Sequence, residues 1–269
     1  MEDNVMQGFK QELNFLTHVW KLNFLSAMEY RVNFIIQIVM MILNNALYFI
    51  FWIIFFETFT AVNGWDLSNM LLLFSIVTTG AGIAFIFFGN ATRLSSLIED
   101  GQMDYYITLP KNPLFYSISS RTSISAVGDV IFGVFIFFFL IEFNAHKLIL
   151  WVICSILVAA ILTAYVSILG TMAFWTGRAQ VLSEQGINAI MTFAMYPSSI
   201  FNGYTRLILF TVIPAGFISE VPVSLLNEPN LISLSILCVF TVIICSFSYW
   251  LFGRGLKNYE SGNLLNINM

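Results

Sequence analysis

VNFIIQIVMMILNNALYFIFWIIFF, Val32–Phe56, is a run of 25 residues without a single charge, and its reading decides the fold. A helix needs roughly 20 apolar residues to cross about 30 Å of hydrocarbon, so this run can span a bilayer. Three more uncharged runs follow, Leu67–Thr92, Leu148–Gly177 and Pro229–Gly253. Two further stretches are interrupted: Thr122–Ile141 is apolar except for Asp129 near its middle, and Gln185–Ser219 is uncharged except for Arg206. Charged residues make up 10% of the chain and mean hydropathy is +0.84, against about 25% charge in soluble domains. The chain reads as an all-α integral membrane protein with six spans. These fall at about 33–56, 67–91, 120–141, 148–174, 186–219 and 230–252.

The fifth stretch is too long for one ordinary crossing and too short for two. It contains Pro197, Gly203, Pro214 and Gly216, so a broken helix or a crossing followed by a re-entrant hairpin is expected. Irregular backbone at that depth needs cover from protein or a water-filled cavity.

Six crossings put both termini on one side. That side holds Lys10, Lys21, Arg31, Arg93, Lys111, Arg121, Arg178, Arg254 and Lys257, and the other holds only Lys147 and Arg206. Basic residues favour the cytoplasmic face, so both termini are expected there. The outward loops, near Glu57, Asp66, Glu142, Glu220 and Glu228, are acidic. No removable signal peptide is expected, because the first 31 residues lack a compact apolar region before a small-residue cleavage site.

Residues 1–31 form a separate amino-terminal arm. Phe9, Leu13, Leu16, Trp20, Phe24 and Ala27 recur at steps of three and four, while Lys10, Asn14, Thr17 and Lys21 recur on another face. Such a division suits a helix lying in the membrane interface; a helix packed on another subunit is the alternative. The six-span body covers 32–253, and 254–269 is a cytoplasmic tail. Between the second and third spans, Arg93–Asp100 is helix-like and Gly101 is a plausible stop. Pro110 and Pro113 then turn the chain back toward the bilayer. This segment is either a lever for a cytoplasmic partner or a connector.

Polar residues inside spans are the candidates for a seam or pathway. Asn33, Gln37 and Asn44 lie within about 40° of one another on a helical wheel, with Tyr48 nearby. They are either helix–helix glue or pathway. Ser155, Ala159, Thr163, Ser167 and Thr171 form a small-residue ladder for close helix packing. Asp129 should face the bundle interior, since a charge at the helix centre costs at least about 2.5 kcal/mol. It is a pathway or protonatable group, or else a carboxyl that fixes packing beside Gly128 and Gly133. Arg206 is expected near the outer headgroups, where it can snorkel.

Other chemistry is sparse. Cys154, Cys238 and Cys245 fall inside spans as small buried hydrophobes. His18 and His146 lie far apart, so no metal site is expected. The chain has no Gly-x-x-x-x-Gly-Lys-Ser/Thr loop to cradle ATP phosphates. Its 11 lysines and arginines are spread thinly, so neither another phosphate site nor a nucleic-acid partner is expected. An intramembrane enzyme would need paired acids or mid-span histidines, and Asp129 stands alone.

Ordered pieces along the chain carry a family likeness. They are Glu29–Phe34, Gly64-Trp65, Ile98–Asp104 followed by Leu109-Pro110, Ala173–Trp175, Tyr196-Pro197, Ile213–Phe217, Val221-Pro222 and Gly253–Gly262. In this order they resemble the permease subunits of type-2 ATP-binding-cassette exporters, in the branch found beside drug-resistance-type ATPases in bacterial operons. The resemblance implies a half-transporter that pairs with a second copy or a homologous permease and docks a separate ATPase subunit. ATP and Mg would be bound by that partner, with no cofactor on this chain. Coupling would fall to Ile98, Glu99, Asp100, Gly101 and Asp104, helped by the amino-terminal helix. A stand-alone secondary transporter with Asp129 as its ion-coupling site is the rival. It would suit the broken fifth segment, although no internal repeat accompanies it.

Overall fold

The computed structural model describes residues 2–141 and 144–259, with residues 2–10 as backbone only. The side chains of Phe9 and Lys10, together with Glu142 and the tail beyond Tyr259, lie outside the described residues. Among the described residues the chain is helical, with no strand beyond the single bridge Val62–Trp65. That bridge closes the turn at Asn63 and Gly64, both at positive φ.

The order runs α1 (Glu2–Glu29), α2 (Arg31–Thr58) and α3 (Leu67–Phe88), then a 3-10 turn over Gly89–Arg93. Three short helices follow, α4 (Leu94–Glu99), α5 (Met103–Ile107) and α6 (Pro113–Ser119), and then α7 (Ser125–Leu140) and α8 (Ala145–Thr171). The last third holds α9 (Ala173–Thr176), α10 (Gln180–Ala194), α11 (Tyr204–Thr211), α12 (Ala215–Ile218), α13 (Glu220–Asn227) and α14 (Leu231–Leu256). Asp66, Asn112, Asn144 and Asn230 each cap a helix by accepting from backbone N–H groups in the first turn, which satisfies donors that have no intrahelical partner.

Helix α3 is apolar all round and sits at the centre, with 72% of its most apolar window buried. A helix without a polar face belongs in the interior. It packs against α7 on one side and α8 on the other, with α2 outside α7 and α14 outside α8. Close approach explains two glycines: a Cβ on Gly128 would lie 2.6 Å from the Ile38 carbonyl oxygen of α2, and one on Gly133 would strike Thr78 and Thr79 of α3. Trp151 Nε1 donates to Ser75 Oγ at 2.7 Å, and Ser75 in turn donates to the Gly133 carbonyl at 3.1 Å. One relay thus ties α8, α3 and α7. The small ladder of α8 serves packing, with Ser155, Ala159, Ser167 and Thr171 all buried. The outer helices are different. Only 17% of the corresponding window of α2 and 22% of that of α14 are buried within the chain.

Among the described residues four helices are long and apolar enough to cross a membrane: Arg31–Thr58, Leu67–Glu99, Ala145–Thr176 and Leu231–Leu256. The third expected span starts late, because residues 120–124 approach α7 as non-helical chain, pinned where Ser123 N donates to the Phe85 carbonyl at 3.0 Å. The fifth stretch is broken. Helix α10 ends at Ala194, and the pair Tyr204–Thr211 and Ala215–Asn227 bends by 67° at Pro214. Pro197 leads into a short 3-10 turn. Gly216 leaves room for the Phe210 ring, which a Cβ there would overlap.

Candidate functional site

Two regions concentrate the polar chemistry. The first is the segment between α3 and α7 at the end of the bundle that carries most of the basic residues. Here Leu94, Leu97, Ile98, Met103, Leu114 and Ile118 bury into a small apolar core with Ala173, Ala179 and Phe252. Ile98 is therefore an anchor for the segment, facing inward.

Glu99 has a definite task. Its Oε1 accepts from Ala179 N at 2.6 Å and Gln180 N at 2.9 Å. Ala179 occupies the N-cap position of α10 and has no side-chain oxygen of its own, so a carboxylate 80 residues away satisfies the open donors and faces the positive end of the helix dipole. Asp100 is exposed beside it. Gly101 takes φ +70, the left-handed conformation that ends α4 and lets α5 begin two residues later. Asp104 opens α5 and faces Tyr259. Burial and the adjacent Asp104 carboxylate push the Tyr259 phenol up to about 12.

Around α5 and α6 the hydroxyls of Tyr105 and Tyr116 lie 3.3 Å apart, and Tyr106 meets Ser120 Oγ at 2.9 Å. Burial, then the Tyr105 hydroxyl, pushes the Tyr116 phenol up to about 12. The amino-terminal helix leans on this cluster. Phe15 packs edge-on against Tyr116 at 5.0 Å, Asn23 Nδ2 donates to the Ser119 carbonyl at 3.1 Å, and Lys111 reaches Glu12 at 3.6 Å. Trp20 Nε1 donates to the Phe87 carbonyl at 2.8 Å. The packed face combines Leu16, Trp20, Phe24 and Ala27, as the periodicity predicts, with Phe15, Val19 and Asn23, whereas Leu13 is 48% exposed.

The second region lies within the bundle. A cavity of about 480 Å³ opens between α2, α3, α7 and α10. Asn44, Tyr48, Asp129, Asn188 and Thr192 line it with apolar neighbours. Asp129 is buried and its Oδ1 accepts from Asn45 Nδ2 at 2.6 Å. Asn45 was not among the residues expected from the sequence, yet it carried a signal. It shares the steps 45, 49, 52 and 56 with Phe49, Trp52 and Phe56, and these four are the buried residues of α2.

The expected polar set on α2 is divided rather than united. Asn44 lines this cavity, Gln37 lines another nearer the basic end, and Asn33 is exposed and lines neither. Pro197, Pro214 and Gly216 shape the broken stretch without entering the cavity. Arg206 has an ion-pair partner on the same broken stretch. Its Nη2 donates to Glu220 Oε1 at 2.7 Å, and Ser198 Oγ donates to the other carboxylate oxygen. Among the described residues no group of three or more His, Cys, Asp or Glu side chains could hold a metal ion.

Long apolar helices around a buried centre define a multi-pass membrane protein. A protein-family model described as "ABC-2 family transporter protein" matches residues 42–262. The chain belongs to that family and is a permease component of an ATP-binding-cassette transporter. Comparison with curated proteins and with solved structures gives no match. The matched region takes in the α4–α6 segment, the cavity and the broken stretch, and leaves out α1.

Proposed function

We propose that the chain is one half of an ATP-driven exporter, of the branch associated with drug-resistance-type ATPases. It pairs with a second copy or a similar permease and docks a separate ATP-binding subunit. Six crossings are completed by α7 and by α10, with α11–α13 forming a re-entrant piece at the outer end. In support, Asn63 Nδ2 donates to the Ser199 carbonyl and Asn227 Nδ2 to Asn69 Oδ1, so the turn before α11 and the end of α13 meet the loop before α3 and its first turn. Both termini are cytoplasmic in a bacterial plasma membrane, since the basic residues gather at the end that holds α4–α6.

The observation that carries the reading is the exposed turn at Asp100 with Glu99 holding α10 behind it. Motion applied at this turn would be passed to a helix that walls the intramembrane cavity. ATP and Mg bind the partner, and closure of the ATPase pair would bias the permease only through differential contacts with its two states. Asn44, Tyr48 and Asp129 would then line the pathway on the dimer seam. Consistent with a seam, α2 exposes most of its surface.

Purification of the tagged chain from its native membrane in mild detergent, followed by mass spectrometry, tests this. A stoichiometric ATP-binding subunit is expected, and a second permease species would distinguish a heterodimer from a homodimer. Absence of any ATPase after gentle cross-linking would overturn the proposal and turn attention to Asp129 as an ion-coupling group.

A further inference from the structure

A second cavity, of about 540 Å³, opens at the basic end between α1, α2, the 3-10 turn after α3 and the start of α7. Arg93 and Arg121 both line it, 28 positions apart in sequence, together with Asn23, Gln37, Thr92 and Thr122. The juxtaposition has a local cause. Gly89 lets the 121–123 backbone lie against the 3-10 turn, where a Cβ would be 2.8 Å from Ser123 N and 3.0 Å from the Arg121 carbonyl oxygen. Helix α1 supplies the outer wall, fixed there by Trp20 and Asn23.

The charge balance of this cavity is one-sided. No carboxylate lines it, and neither arginine is in an ion pair among the described residues. Thr122 is buried, and its hydroxyl has no hydrogen-bond partner among the described residues. Two guanidinium groups with amide and hydroxyl donors match a phosphate, which accepts through several oxygens and pairs bidentately with arginine.

We infer that this cavity is a binding site for the phosphate group of an anionic glycerophospholipid. A lipid source fits the surroundings, because the chain next to the cavity presents exposed apolar side chains. Leu22 and Leu25 on α1, and Val32 and Ile36 on α2, are each more than half exposed, and offer a path for acyl chains leaving the headgroup. The anionic lipids of a cytoplasmic leaflet attract basic groups at this depth. The sequence pointed away from a phosphate site because its cations are dispersed; folding brings two of them to one cavity.

Native mass spectrometry of the detergent-solubilised full chain, titrated with phosphatidylglycerol, phosphatidylcholine or inorganic phosphate, tests the site. Phosphatidylglycerol should bind more tightly than phosphatidylcholine, and Arg93→Gln with Arg121→Gln should weaken it roughly tenfold. Arg178→Gln, an exposed arginine outside the cavity, should leave it unchanged. Displacement of phosphatidylglycerol by millimolar inorganic phosphate would support the phosphate chemistry with a soluble source. Equal retention of phosphatidylglycerol by the wild type and the double variant would overturn the site. Should the double variant not be monodisperse, Arg121→Gln alone decides: weaker binding supports the site, and unchanged binding overturns it.

Discussion

Asn45 on α2 donates to Asp129 on α7 at 2.6 Å, inside the bundle and on the wall of the cavity between α2, α3, α7 and α10. The pair joins an outer helix, most of whose surface is exposed, to one packed on the central helix, so it fixes the position of α2. Hydrogen bonds between membrane helices contribute about 0.6 kcal/mol on average and rarely reach 2. Asn45→Ala should therefore lower stability by about 1 kcal/mol. Asp129→Asn, which keeps an acceptor oxygen, should lower it less. A double-mutant cycle on thermal unfolding in micelles gives the coupling directly, and a value indistinguishable from zero would remove the pair from the fold's support.

Glu99 and Asp100 are neighbours with different expected effects. Glu99→Ala removes both acceptor contacts to the start of α10 and should destabilise by about 1.5 kcal/mol, the low end for charge-assisted bonds because Glu99 is half-buried. Asp100→Lys, on an exposed residue, should change stability by less than about 0.5 kcal/mol while reducing co-purification of the ATP-binding subunit. Thermal midpoints read beside pull-down yields separate the two. A pull-down unaffected by Asp100→Lys would take this turn out of the docking surface.

These findings mark what was legible in sequence. The apolar runs at Val32–Phe56 and Pro229–Gly253 gave the helices because hydrophobic length is a local property. The break at Pro197 and Pro214 was legible for the same reason, since proline acts on its own backbone. What escaped was long-range. Nothing near Ala179 states that its helix needs a cap, and nothing near Glu99 says that it supplies one. The visible polar signal on α2 is the face shared by Asn33, Gln37 and Asn44, while the contact is made by Asn45 on the apolar face shared with Phe49 and Trp52. The inward set of α1 shifted toward Phe15, Val19 and Asn23 because the α6 surface, rather than lipid alone, decides which side chains are covered.

The outer end offers a salt test. Arg206 and Glu220 form a partly exposed pair, with 48% and 24% side-chain exposure, and such pairs contribute about 0–1 kcal/mol and are screened by salt. Arg206→Ala should have a small effect that shrinks in molar sodium chloride. Glu220→Ala should have a larger effect that persists in salt, because Glu220 also accepts from Ser198 Oγ and holds α13 to the turn after α10. Midpoints for both variants at low and high salt check this; equal salt sensitivity would mean that the Ser198 contact contributes nothing.

The last prediction concerns alkaline pH. Tyr259 and Tyr116 both have phenols pushed up to about 12 from an ordinary value of 10. Burial is the first cause in each, joined by Asp104 for Tyr259 and by Tyr105 for Tyr116. A phenol with a raised folded-state pKa stays protonated in the folded chain after the unfolded chain has lost its proton. Stability from these groups is therefore complete below pH 10 and declines as pH rises from 10 to about 12. Tyr259→Phe should make that decline shallower while leaving stability at neutral pH nearly unchanged. Tyrosinate difference absorbance should show one fewer late-titrating phenol. If Tyr259 instead titrates near pH 10 in the folded protein, the end of α14 is not closed against α5 as the Asp104–Tyr259 contact requires.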